Sequence, residues 1–209
     1  MKKALCLLSG GFDSPVAAYR IANTGYHVDY LFFYSLPFVR ERDKEIVIEC
    51  VKILNKQTGH KSKLFIVDNE KLLSRLQENT DKTLHVVMRR IMMRIAEAFA
   101  KKNGYSALIT GDSLGQVSSQ TLSNLEAVTR AVKIPILRPL LGFDKEEIIR
   151  ISEKIGTYDL SKQHKDCGLG AISSARTKAS EKELHEIENR INYKEFLKDV
   201  VQNARILKI

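Results

Sequence analysis

No stretch of this sequence approaches the roughly 18 consecutive apolar residues a membrane helix needs. The opening MKKALCLLSGG sets lysines before apolar residues, as a secretory signal does. Its apolar run, Ala4–Leu8, is shorter than the core of about 7–15 residues such a signal carries. The expectation is a first β-strand in a cytoplasmic protein with no membrane partner. The 3 cysteines, Cys6, Cys50 and Cys167, lie far apart with no CxxC pair. That spacing excludes a disulfide framework, a zinc site and a four-cysteine iron–sulfur cluster. There is no Gly-Lys-Ser/Thr to make a Walker loop. The nearest approach to G-x-G-x-x-G, GLGAIS from Gly168, follows no strand.

What is present is ordinary for a folded domain. The 209 residues are 44% hydrophobic and 28% charged, enough for one sizeable core. Lys and Arg total 34 against 25 Asp and Glu, a net +9. That surplus suits a polyanionic partner, and equally a lysine-rich, thermophile-like surface. Short apolar runs at Ala4–Leu8, Val28–Tyr34, Lys63–Val67, Ala107–Thr110 and Ile134–Arg138 alternate with longer amphipathic segments. The runs are continuous rather than alternating, as in strands covered on both faces. The pattern predicts an α/β fold, a doubly wound parallel five-stranded sheet, over residues 1–179. From Ser180 it turns helical, which predicts a C-terminal helical extension over 180–209, closed by a short strand at Arg205–Lys208.

The segment LSGGFDSPVAA (Leu8–Ala18) follows the first strand. Ser9, Gly10 and Gly11 would turn the chain so that backbone N–H groups line an anion-binding concavity. Ser14 suits a helix N-cap and Pro15 a first helical position, so the positive end of the helix would face the same ligand. With no lysine in the loop, Asp13 would act through a Mg²⁺ bridging it to phosphate oxygens. A second constellation runs from Met88 to Leu125. Its helix carries Leu84, Met88, Ile91, Ile95 and Ala98 as a core stripe. Arg90, Arg94 and Lys101 share another face and want an acidic partner, either nucleic-acid phosphate or Glu97 with solvent. Arg89 lies on an apolar stripe, where it either snorkels or reaches a bound anion; the anion is favoured. The following strand ends at Gly111, which permits close ligand approach. Gln120 sits in the first turn of the next helix.

The first loop resembles the PP-loop of ATP pyrophosphatases, which split ATP between the α and β phosphates. TGDSLGQVSSQTLSNL (Thr110–Leu125), with FFYSLPFVRER (Phe32–Arg42) and PILRPLLGFDKEEIIRISEKIGTYD (Pro135–Asp159), is similar to the catalytic domain of the tRNA 4-thiouridine sulfurtransferase (ThiI) family. The resemblance implies ATP contacts at Leu7, Leu8, Phe32, Phe33, Arg89, Gly111 and Gln120, beside those of Ser9, Gly10 and Gly11. It implies catalytic roles for Asp13, Ser14 and Cys167, and Mg²⁺ and ATP as cofactors. Cys167 matches a cysteine that pairs with a persulfide, and it reads equally as an inert loop thiol. His164 and Lys165 beside it could lower its pKa. Gly170 stands where cluster-bearing relatives have a second cysteine, which argues against cluster chemistry. With the PP-loop starting at Ser9, the chain is expected to lack both the family's N-terminal RNA-binding portion and the C-terminal rhodanese domain of some members.

The function expected is therefore ATP-dependent tRNA sulfurtransfer. Uridine O4 is adenylated with loss of pyrophosphate, and sulfur then displaces AMP. Its partners are tRNA, contacted by Arg90, Arg94 and Lys101, with sulfide or a separate sulfur-donor protein. A separate RNA-binding subunit, or a homo-oligomer, would build the rest of the RNA surface. Two alternatives stand beside it: a PP-loop enzyme adenylating another acceptor, and a non-catalytic ATP-binding subunit of a larger complex.

Overall fold

The continuous apolar runs are explained by following the two faces of each strand. A computed structural model describes residues 1–35, 39–79, 83–114, 121–164 and 180–209. In β1 (Lys3–Leu7), Leu5 packs on one side of the sheet while Ala4 and Cys6 pack on the other. Leu31 and Phe33 against Val28, Tyr30 and Phe32 repeat this division in β2 (His27–Tyr34). Phe65 against Leu64 and Ile66 repeats it in β3 (Lys63–Asp68). Both sets need cover, so helices lie on both faces.

One face is covered by α1 (Asp13–Ala22), α2 (Glu41–Thr58) and α6 (Lys145–Ile155). The other takes α3 (Glu70–Asn79), α4 (Leu84–Asn103), α5 (Leu122–Thr129), α8 (Glu181–Arg190) and α9 (Tyr193–Asn203). A short α7 (Tyr158–Gln163), which the periodicity did not indicate, follows α6. With β4 (Ala107–Ile109), β5 (Ile136–Leu137) and β6 (Arg205–Lys208), the sheet order is β5-β4-β1-β2-β3-β6. The chain lays β2 and β3 to one side of β1 and then returns to lay β4 and β5 on the other. The switch point therefore falls between β1 and β4, where a doubly wound sheet opens a crevice at its carboxyl ends.

The sheet has six strands rather than the five expected. The sixth, expected as a short closing strand at Arg205–Lys208, pairs antiparallel with β3, Lys63 opposite Lys208 and Ile66 opposite Arg205. A short return from α9 reverses the chain direction, and pairing there covers what would otherwise be the open edge of β3. Leu184, Ile187, Phe196 and Val200 of the C-terminal helices are buried in the same cluster as α4. Among the described residues no helix is long and apolar enough to cross a membrane.

Candidate active site

The loop after β1 is closed by its own serines. The Ser9 N–H donates to Ser14 Oγ at 2.8 Å, the two hydroxyl oxygens are 3.0 Å apart, and the Gly11 N–H reaches Ser9 Oγ at 3.4 Å. This differs from the expected nest of unengaged amides: hydroxyls of Ser9 and Ser14 hold two of those N–H groups. Helix α1 starts at Asp13 with Phe12 as N-cap, so Ser14 does not cap it. Pro15 falls at the third helical position, where a missing N–H still costs nothing because the first four have no partner within the helix. The Ser14 hydroxyl is thereby released to fasten the loop.

Glycine is required at two of these positions for reasons of packing. A Cβ on Gly111 would come within 2.8 Å of the Asp13 carbonyl carbon and the Ser14 nitrogen. Gly111 was expected to admit a ligand. It lines the first cavity, and it also admits the start of α1, drawn against the end of β4. A Cβ on Gly10 would meet His164 Nδ1 at 2.6 Å, whereas one on Gly11 would make only ordinary contacts, the nearest at 3.6 Å.

Two cavities open on this loop and share Leu7, Ser9 and Met92. The first, about 280 Å³, is lined by Asp13, Ser14, Arg89, Met93, Thr110, Gly111 and Asp112 among others. It lies at the β1–β4 switch point. The second, about 190 Å³, lies toward β2 and β3 and is largely apolar, walled by Leu8, Phe32, Phe33, Leu73 and Met88, with Ser35, Asn69 and His164 as its polar members. Ser35 donates to Asn69 in that wall. The sequence-derived residues Leu7, Leu8, Ser9, Asp13, Ser14, Phe32, Phe33, Arg89 and Gly111 are thus brought together around one crevice. Gly10 lies in the loop between them. Gln120 and Cys167 lie outside the described residues.

Arg89 projects from α4 into the first cavity, where it pairs with Asp112. Asp112, only 4% exposed, also takes Arg138 Nε at 3.0 Å and the Thr110 hydroxyl at 2.9 Å. The expectation for Arg90 and Arg94 needs correction. Arg90 is fully buried, with its Nε 2.7 Å from Glu188 and Nη2 2.9 Å from Glu181. Arg94 meets the same Glu188 at 3.0 Å and the Ala131 carbonyl at 2.9 Å. The acidic partner that these two arginines meet is α8: the buried Arg90 needs carboxylates within the protein, and the partly exposed Arg94 shares one of them. Lys101 alone of the three is exposed, paired with Glu97 on its own helix.

The two described cysteines are core residues. Burial pushes the Cys6 thiol far above its usual range and that of Cys50 up to about 12, so neither is a nucleophile at neutral pH. Among the described residues no group of three or more His, Cys, Asp or Glu could hold a metal ion. Mg²⁺ does not need one, since it commonly takes one or two carboxylates and completes its shell with phosphate oxygens and water. Asp13 lines the first cavity together with Ser9 and Ser14. Sequence reasoning passed over Asp43, Arg40 and Arg138, and gave His164 only as a neighbour of Cys167. Their contacts join segments far apart in the chain.

The family model for the thiamine biosynthesis protein (ThiI) matches residues 1–193. A probable tRNA sulfurtransferase of Acetivibrio thermocellus is 41% identical over 210 residues, covering 99% of this chain and 53% of that protein. A probable tRNA sulfurtransferase of Coxiella burnetii is 38% identical over 214 residues, with the same coverages of 99% and 53%. The chain therefore spans about half the length of the curated relatives it matches. Among solved structures, a 4-thiouridine synthetase–RNA complex with bound ATP aligns over 100% of this chain and 55% of that one, with a TM-score of 0.95 and 34% identity. An NMN synthetase from Francisella tularensis, at TM-score 0.56 and 16% identity over 94% of this chain and 86% of its own, shares the fold alone.

Proposed function

The chain belongs to the ThiI family, and on that premise we propose that it is an ATP-dependent tRNA sulfurtransferase domain that makes 4-thiouridine. The carrying observation is the pair of cavities that meet at Ser9, one apolar and one lined by Asp13, Ser14, Arg89 and Gly111. A nucleotide laid across Ser9 would place its adenine against Phe32 and Phe33 and its phosphates over the Ser9–Ser14 loop, at the positive end of α1.

The proposed chemistry has two steps. Uridine O4 forms a bond to the α-phosphorus, and the bond to the β-phosphate oxygen breaks. A sulfur nucleophile then bonds to C4, and AMP departs carrying O4. The hydroxyls of Ser9 and Ser14 and the N-terminal amides of α1 face the charge that grows on the departing pyrophosphate. Arg89 exchanges Asp112 for a phosphate oxygen when nucleotide is present. Asp13 would hold Mg²⁺, which when bound offsets phosphate charge. Cys167 is the proposed thiol that pairs with a donor persulfide, and tRNA and a sulfur donor are the proposed partners.

The test is to incubate the purified chain with ATP, Mg²⁺, sulfide and unmodified tRNA, and to measure AMP, pyrophosphate and thiolated nucleoside together. The three should appear in step. ADP with orthophosphate as products would overturn the reading. AMP and pyrophosphate released only with a different acceptor would keep the chemistry and change the substrate.

A further inference from the structure

The apolar recess beside Ser9 has a polar pair set into its wall. The register of the sheet puts Tyr34 at the end of β2 beside Asp68 at the end of β3, so the residues that follow, Ser35 and Asn69, emerge as neighbours. The Ser35 hydroxyl donates to Asn69 Oδ1. Ser35 is fully buried and Asn69 is 5% exposed, and both line the recess with Leu8, Phe32, Phe33 and Met88. Asn69 immediately precedes α3, and its carbonyl accepts from the Leu73 N–H at 3.0 Å. An asparagine in that position ordinarily turns its side chain back onto the first amides of its own helix. Here Asp68 Oδ1 takes the Glu70 N–H at 3.0 Å, and the Asn69 side chain bonds Ser35, 34 residues away, instead. A carboxamide has two N–H donors and two acceptor lone pairs, of which Ser35 uses one lone pair. The Asn69 NH₂ group is left with no partner among the described residues, and burying it unpaired costs free energy that a ligand with an acceptor would recover.

Resting on the reading above that adenine occupies this recess, we infer that Asn69 selects the base by its 6-amino group. Oδ1 accepts from that amino group through its remaining lone pair, and Nδ2–H donates to the ring nitrogen next to it. A carboxamide presents an acceptor and a donor side by side, and adenine presents the complementary donor and acceptor at the same spacing, which is why asparagine pairs with it bidentately. Ser35 sets the sense of the pair: its hydroxyl proton sits on Oδ1 and holds the carboxamide with that end toward β2. The apolar walls grip any purine by contact area and do not tell one from another. Discrimination comes from the few polar groups among them, because a base lacking the matching group leaves a buried dipole unpaired.

The experiment is calorimetric titration of the full chain, unaltered and as Asn69→Leu, with ATP and with purine riboside 5′-triphosphate, which lacks only the 6-amino group. Leucine is of similar size and continues the apolar wall. The unaltered chain should prefer ATP by about tenfold, the worth of one well-made hydrogen bond. Asn69→Leu should bind the two ligands within about twofold of each other. A merely structural role would weaken both ligands alike and leave the preference in place. In the unaltered chain the Asn69 side-chain NH₂ resonances should move with ATP and not with inorganic triphosphate, which fills only the phosphate side. Equal affinity for ATP and the analogue in the unaltered chain, a preference that survives in Asn69→Leu, or resonances indifferent to ATP would each overturn the inference. The first and the last need no variant, so they decide even if Asn69→Leu fails to fold. An unaltered chain that binds neither ligand would bring down the functional reading as well. ATP bound without regard to its amino group brings down this inference alone.

Discussion

Asp112 stands between two guanidinium groups, Arg89 from α4 and Arg138 from just beyond β5, and it is buried while Arg89 lines the crevice and Arg138 stays partly exposed. A carboxylate so placed neutralises one cation and leaves the pair with a surplus positive charge. That surplus is what an anionic ligand at the β1–β4 switch point would meet. Arg89→Ala should weaken ATP binding about tenfold or more. Asp112→Asn should weaken it less, because both guanidiniums remain, but should destabilise the fold by about 2 kcal/mol, a fall in Tm of roughly 4–8 °C. Titration calorimetry and thermal unfolding read the two effects separately.

The two glycines Gly111 and Gly11 should behave oppositely. Alanine at Gly111 puts a methyl group 2.8 Å from the backbone of Asp13 and Ser14, which cannot yield without moving the start of α1. Overpacking of that kind costs about 1–3 kcal/mol, and here it also displaces Asp13 and Ser14 from the crevice. Gly111→Ala should lower both Tm and ATP affinity. Alanine at Gly11 meets only ordinary contacts and should leave Tm nearly unchanged. Equal stability for the two variants would contradict the packing argument.

Glu188 joins α8 to α4 through two arginines, one of them fully buried. Removing it takes a carboxylate from the fully buried Arg90, which keeps only Glu181 of the two it is paired with, and the ion pair from the partly exposed Arg94. Glu188→Ala should cost about 3–5 kcal/mol, a loss of roughly 6–20 °C in Tm for a chain of this size. Lys101→Ala, at an exposed end of the same helix, should change Tm little. If tRNA affinity falls in Arg90→Ala, it should fall only in proportion to the unfolded fraction seen by circular dichroism.

The strands and the glycine loop were legible because they are local. An apolar run buried on both faces announces itself in five consecutive residues, and S-G-G-F-D-S places its chemistry within six. The long-range pairs were not. Nothing near Arg90 in sequence points to Glu188, 98 residues away, or near Asp43 to His164, 121 residues away. The stripe of Arg90, Arg94 and Lys101 read as one surface because helical spacing says which residues share a face and not what covers it. The direction of β6 was hidden for a related reason: strand periodicity carries no sense of parallel or antiparallel.

Asp13 offers the sharpest separation of binding from chemistry. It begins α1, lines the first cavity, and has the start of its helix pressed by Gly111 toward the end of β4. The apolar recess on the other side of Ser9, where adenine is proposed to lie, does not include it. Asp13→Ala should therefore keep most of the contacts that hold nucleotide and lose those that act on the departing pyrophosphate. The expected result is tRNA-dependent pyrophosphate release reduced by about 100-fold or more, with ATP affinity weakened by no more than about tenfold. Equilibrium binding of ATP measured beside pyrophosphate release gives both numbers from one preparation. A variant that binds ATP and releases pyrophosphate at the unaltered rate would remove Asp13 from the chemistry, and the acidic side chain in this loop would then need another explanation.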